Sequence, residues 1–169
     1  FFAVNRQTFG DYKFMDPANE YNRVFGIEYN LASADNSLTG KFYLHKSLQP
    51  DDTKGNYSWQ TTITWQPRKF NYILDFQYVD EDFRADLGFV QRTGVLKNGN
   101  GFSYNFYPKS GKVSRHSPGA MALYYWRPDM DWKKSDHVYN LYYSINFTNQ
   151  STLRADYRNN YVYLTHGFD

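Results

Sequence analysis

Residues Asn56–Asp82, NYSWQTTITWQPRKFNYILDFQYVDED, decide the fold. Tyr57, Trp59, Ile63 and Trp65 alternate with Ser58, Gln60, Thr62, Thr64 and Gln66. After Pro67-Arg68-Lys69 the apolar set continues as Phe70, Tyr72, Leu74, Phe76 and Tyr78. Successive side chains of a strand point to opposite faces, so a period of two writes one apolar and one polar face. Two such runs about a proline-bearing turn predict an antiparallel hairpin. What the apolar face touches, a protein core or lipid, is the question the rest of the chain addresses.

The same alternation recurs along the chain. Residues 22–33 place Phe25, Ile27, Tyr29 and Leu31 opposite Glu28 and Asn30, and residues 38–48 place Leu38, Phe42 and Leu44 opposite Lys41 and His45. Strands follow at 101–107 (Phe102, Tyr104, Phe106), near 119–127 (Met121, Leu123, Tyr125 against Ala122, Tyr124, Trp126), at 137–147 and at 152–164. With the hairpin these make eight, and residues 1–9 read as the end of a further strand. All six prolines are expected at or outside strand ends, where no ladder hydrogen bond is lost.

The connections alternate in length. Residues 34–37, 67–69, 109–112 and 149–151 are tight turns, whereas 10–21, 49–56, 81–100 and 129–135 are longer. Short turns on one side and long loops on the other are the plan of an outer-membrane barrel. The runs also exceed the ~5–6 residues usual in soluble strands and match the ~9–11 that cross a bilayer.

Composition agrees. The 169 residues hold 17 Tyr, 14 Phe and 4 Trp, and Tyr outnumbers Val, Ile and Leu singly. Tyrosine and tryptophan join an apolar body to a polar tip and suit a membrane–water boundary. Net charge is +2 with both signs mixed, which gives no nucleic-acid footprint, and the lack of cysteine excludes disulfides and thiolate chemistry. Mean hydropathy is −0.78, and no apolar run approaches the ~18 residues of a membrane helix.

The expected fold is therefore all-β: an antiparallel up-and-down transmembrane β-barrel in the bacterial outer membrane. Residues 1–169 form a single barrel segment, the C-terminal part of a longer chain and of a larger barrel. Tyr, Phe and Trp face the lipid bilayer, while Ser, Thr, Asn and the charges Glu28, Lys41, Asp75, Arg154, Asp156 and Arg158 line the interior.

The stretches NRVFGIEYNLASADNSLTGKFYLHKSL (22–48), DEDFRADLGFVQRTG (80–94) and NFYPKSGKV (105–113) resemble the C-terminal β-barrel domain of Bacteroidota outer-membrane proteins. Its most specific part is the spacing DF-x-x-x-x-GF-x-x-R, carried here by Asp82-Phe83, Gly88-Phe89 and Arg92. The resemblance implies a family-9-like carbohydrate-binding domain upstream, and it implies no catalytic residue.

Of the 17 acids, 12 lie in or beside the long connections. Asp80-Glu81-Asp82 and Asp129-x-Asp131 offer hard oxygens to calcium, with a solvated loop surface as the plainer reading and no cofactor expected. Trp132 beside Asp129 and Asp131, with Phe83 and Tyr12 in other loops, is the candidate glycan-stacking surface; loop packing is the plainer reading. Ser114, His116 and Ser117 cluster without a G-x-S-x-G elbow, and the four histidines are isolated, so no enzyme is expected. The expected role is glycan or solute uptake, or anchorage of a carbohydrate-binding domain within a complex of outer-membrane proteins. A soluble β-sandwich carbohydrate-binding module is the first alternative, and a barrel-embedded hydrolase the second.

Overall fold

The computed structural model describes residues 1–10, 13, 16–50 and 55–164. Nine strands follow in chain order: β1 (Phe2–Gln7), β2 (Tyr21–Ala32), β3 (Leu38–Leu48), β4 (Tyr57–Trp65), β5 (Phe70–Val79), β6 (Val95–Tyr104), β7 (Val113–Arg127), β8 (Lys133–Phe147) and β9 (Thr152–Tyr161). They form one antiparallel up-and-down sheet in which each strand pairs only with its neighbours in sequence. The described residues contain no α-helix, only the short 3-10 turns Pro17–Asn19 and Pro128–Met130. The sheet is open: β1 and β9 each have one paired side.

The tight turns are built from local acceptors. Asp35 accepts hydrogen bonds from the Ser37 N–H at 3.1 Å and from the Ser33 and Ser37 hydroxyls at 2.7 and 2.9 Å, while Asn36 takes a positive φ of 55°. These donors, the Ser33 hydroxyl first, hold the Asp35 carboxyl below its ordinary range. Asn149 repeats the device by accepting from the Ser151 N–H and hydroxyl, with Gln150 at φ 69°.

The opening hairpin forms as its alternation predicts, with Trp59 opposite Tyr78 and Ile63 opposite Leu74. Elsewhere the structure moves several expected boundaries. β6 begins at Val95, so residues 95–100 are strand rather than loop, and it ends at Tyr104, short of 107. β7 starts at Val113, which places Ser114, His116 and Ser117 inside a strand. β8 starts at Lys133, leaving only 128–132 between β7 and β8, no longer than the 105–112 connection at the other end. The alternation of loop lengths therefore fades over the last strands.

Pro118 lies within β7, against the expectation that every proline falls at a strand end. His116 exchanges both backbone hydrogen bonds with Phe106 at 2.9 and 3.0 Å, so the backbone polar groups of His116 face β6. Two residues on, Pro118 faces the same way, at the gap between the Ser103–Gly119 and Phe106–His116 pairs. The missing N–H thus falls where β6 stops pairing, and β7 tolerates it.

β7 also inverts the expected faces. Register sets Leu123 opposite Gly99 and Tyr125 opposite Lys97, on the polar side, while Ala120, Ala122, Tyr124 and Trp126 share the apolar side. Glycines on the polar side make room for rings: Tyr142 folds over Gly119, and Phe2 and His45 meet over Gly26, where any Cβ would collide.

The sheet curls about its polar face, so that side chains from β1 to β7 line one concave cavity. The connection between β5 and β6, residues 80–94, folds across this concavity as a strap. Phe83, only 7% exposed, packs with Val24 and Val79, and Phe2, Ala85 and Val90 surround them. Val24, Val79, Phe83 and Val95 are the only fully buried hydrophobic residues among those described.

Candidate functional site

The strap is tied down at both ends. Arg84 donates from Nη2 to Asn19 Oδ1 at 2.5 Å and pairs with Asp86 at 2.6 Å, while Asp86 also meets Arg6 of β1 at 2.7 Å. Asn22 of β2 clasps the same stretch, donating to the Arg84 carbonyl and accepting from the Asp86 N–H, both at 3.0 Å. At the far end Arg92 reaches Asp136 of β8 at 2.6 Å. Asp136 also accepts from the Ser135 hydroxyl and the Tyr163 N–H. Between the anchors Leu87 is 65% and Phe89 91% exposed, and both border the cavity.

Beneath the strap lies a cavity of about 800 Å³. Glu28, Lys41 and Lys97 project into it, with Tyr43, His45 and Gln77 between them. Two of its cations, Arg92 and Lys97, are matched by carboxylates. Lys97 pairs with Asp75, which also accepts from Gln60 at 2.6 Å and Thr62 at 3.2 Å. Glu28 lies 3.3 Å from His45 Nε2, and Tyr43 accepts from Gln77 at 2.9 Å. Lys41 has no ion pair among the described residues, and it also borders a smaller hollow of about 290 Å³ lined by Asn30, Thr39, Thr62 and Thr64.

The other face is convex and rich in rings. At the end of the tight turns, Trp65 meets Phe70 at 4.7 Å, Phe70 meets Phe102 at 6.2 Å, and Phe106, His116 and Tyr143 stack in sequence. At the strap end, Trp59 meets Tyr78, Tyr78 meets Trp132, and Tyr124, Tyr139, His137 and Tyr161 follow. Between the two belts a row of register partners runs through Ile63, Leu74, Asn100 and Ala122. Asn100 accepts from the Tyr72 hydroxyl at 3.1 Å and donates to Asn98 at 2.6 Å, so these amides are engaged on a mainly apolar face.

The proposed glycan-stacking residues do not converge. Trp132, at φ 57° and half exposed, rests on Tyr78 on the convex face, whereas Phe83 is buried beside Val79 on the concave one. Asp129 pairs with Arg127, and Asp131 stands 3.9 Å from Lys133. Tyr12, Asp11, Asp51 and Asp52 lie outside the described residues. Asp80 accepts from the Tyr57 N–H and the Tyr78 hydroxyl, and no group of three metal-ligating side chains gathers among the described residues. Ser117 donates to Asn105, Ser114 to the Asn146 carbonyl, and His116 contacts the Tyr143 hydroxyl at 2.7 Å. No serine hydroxyl meets a histidine among the described residues.

Alternation alone could not reveal the strap, because its ties come from residues distant in sequence, Asn22 lying 62 positions from Arg84 and Asp136 44 from Arg92. One signal was present: the spacing of Phe83, Gly88-Phe89 and Arg92 carries the anchor, the exposed tip and the second tie. No protein-family model, no curated protein and no solved structure matches this chain.

Proposed function

We propose that this sheet is a wall of an outer-membrane β-barrel, with its convex face against lipid and its strapped concave face toward an aqueous interior. The observation that carries the reading is the convex face itself. From β2 to β9 it leaves Ile27, Tyr29, Leu44, Leu141, Leu153 and Tyr157 half exposed or more. Contiguous apolar surface beyond a few hundred Å² marks an interface, and two aromatic belts around a central band suit the two boundaries of a bilayer. The buried core of four residues offers little stabilisation in water. Strand lengths of 10 to 15 residues from β5 to β9 are sufficient for a tilted crossing.

Within that reading the role is solute or glycan passage, or anchorage of a binding domain, rather than catalysis. The strap favours a narrowed interior over a wide pore, because residues 83–90 occupy space that water would otherwise fill. The resemblance to Bacteroidota outer-membrane proteins supports the same compartment. The test is fractionation followed by gel migration with and without boiling. The protein should remain with detergent-extracted outer membranes and migrate faster unboiled. Recovery in the soluble fraction without detergent overturns the proposal.

A further inference from the structure

We infer that the tight-turn end of the sheet docks on anionic phospholipid headgroups, with Arg68, Lys69, Lys109 and Lys112 against the phosphates and the adjoining aromatic belt in the lipid beneath. The inference rests on the barrel reading above and adds the lipid chemistry that one end of the sheet selects.

Charge is divided unequally between the two ends. The connections at the tight-turn end, residues 33–37, 66–69, 105–112 and 148–151, carry those four cations and a single acid, Asp35. The connections at the strap end, residues 8–20, 49–56, 80–94 and 128–132, carry four cations against eleven acids. Asp35 is engaged within its own turn, where it accepts three hydrogen bonds from Ser33 and Ser37. Arg68, Lys69, Lys109 and Lys112 are all exposed, and none makes an ion pair among the described residues.

The fold gathers these cations beside exposed rings. Because β5 pairs with β6, the turn at 66–69 lies against the connection at 105–112. Asn105 donates its N–H to the Lys69 carbonyl at 2.6 Å, and the Tyr107 hydroxyl donates to the Arg68 carbonyl at 2.8 Å. The Arg68 guanidinium lies 5.1 Å over the Tyr107 ring. Thr148 ties the next turn to the Lys112 carbonyl at 2.9 Å. Just inside this rim Trp65, Phe102, Phe106 and Tyr143 of the convex face are each more than 40% exposed.

An acidic peptide would match the cations but leave the rings in water. An uncharged membrane would cover the rings but leave the cations without counter-charge. A layer of phosphates directly above hydrocarbon answers both, since basic side chains reach the headgroups while aromatic ones sit at the boundary. The short turns of a barrel lie on the periplasmic side, which assigns the phosphate to phospholipid.

The experiment titrates the full chain, refolded in non-ionic detergent, with short-chain phosphatidylglycerol and phosphatidylcholine, and reads bound lipid by native mass spectrometry. Phosphatidylglycerol should bind roughly tenfold more tightly, and the preference should shrink at high salt. The double variants Arg68→Gln with Lys69→Gln, and Lys109→Gln with Lys112→Gln, should each reduce it to about threefold, and all four together should abolish it. Arg23 and Lys46 lie over Tyr21 and Tyr57 at the strap end, so Arg23→Gln with Lys46→Gln is the control and should leave it unchanged. The substituted side chains of the turns are exposed and unpaired, and circular dichroism checks that each variant keeps the sheet; either turn pair decides the matter if the other misfolds. Equal binding of the two lipids by a chain that needs detergent overturns this inference and leaves the barrel reading standing. So does a preference that survives both turn pairs, or displacement of phosphatidylglycerol by soluble polyglutamate, which would mark an acidic protein partner. A chain that stays dissolved without detergent overturns the barrel reading and this inference together.

Discussion

On the convex face Leu141 and Tyr157 stand opposite one another in register, each more than half exposed. One backbone thickness away, on the concave face, Tyr142 covers Gly119, Arg154 lies 4.1 Å over the Tyr142 ring, and Asp156 accepts from that same Arg154. Alternate residues of the same strands thus live under different rules. Concave side chains satisfy one another through ion pairs, amides and rings over glycine. Convex side chains stack on one another or meet edge-on, and their outer surfaces depend on whatever surrounds the sheet. The stability of the concave face belongs to the chain; that of the convex face belongs to its solvent.

Four substitutions break or sharpen this contrast. The largest effect is expected from Phe83→Ala, which removes the centre of the small buried cluster at a cost of about 3 kcal/mol. Urea unfolding should show it in any solvent, since the cluster is internal. Leu141→Arg comes next and works the other way. It should cost ~2–4 kcal/mol if that face lies at mid-bilayer, and almost nothing if it meets water, so refolding into lipid vesicles separates the two.

Arg92→Met is smaller, about 1 kcal/mol, because Asp136 keeps the Ser135 hydroxyl and the Tyr163 N–H and because Arg92 is partly solvated. A cycle with Asp136→Asn should show that the two changes do not add. The smallest effect concerns acid. The Arg127 hydrogen bond holds the Asp129 carboxyl below its ordinary 3.8. Its modest contribution is present above that value and is lost as pH falls through the depressed one. Thermal midpoints of native chain and Asp129→Asn should therefore differ slightly at neutral pH and converge in strong acid.

The fold was legible where one face was uniformly apolar. Tyr57 to Tyr78 and Tyr139 to Phe147 alternate cleanly, and the hairpins they imply are present. Reading failed where the pattern carried small or polar residues on the convex side. Asn98 and Asn100 look like loop, yet they are strand residues whose amides are engaged by each other and by Tyr72. Ala120 and Ala122 are too small to signal a face beside Met121, Leu123 and Tyr125, so the pattern assigns β7 the wrong apolar face. Phe83 looks like a loop aromatic in the sequence because burial by a strap is a long-range event that leaves no period. The inward-facing charges at Glu28, Lys41 and Asp75 are readable, but the pairing of Asp75 with Lys97 depends on the register of β6 against β5.

The curvature of this meander has one of its sources in the strap. Strand twist and the register shifts of β7 bend such a meander, and the strap adds a tie across the bend. Residues 80–94 act as the chord of an arc, leaving the ribbon between β5 and β6 and fastening to β1 and β2 at one point and to β8 at another. The length of a chord sets how tightly its arc bends. Residues inserted between Asp86 and Arg92 should therefore open the bend and enlarge the space beneath, while deletions should tighten it, with no strand altered. The bend of this sheet thus depends in part on a segment outside its strands.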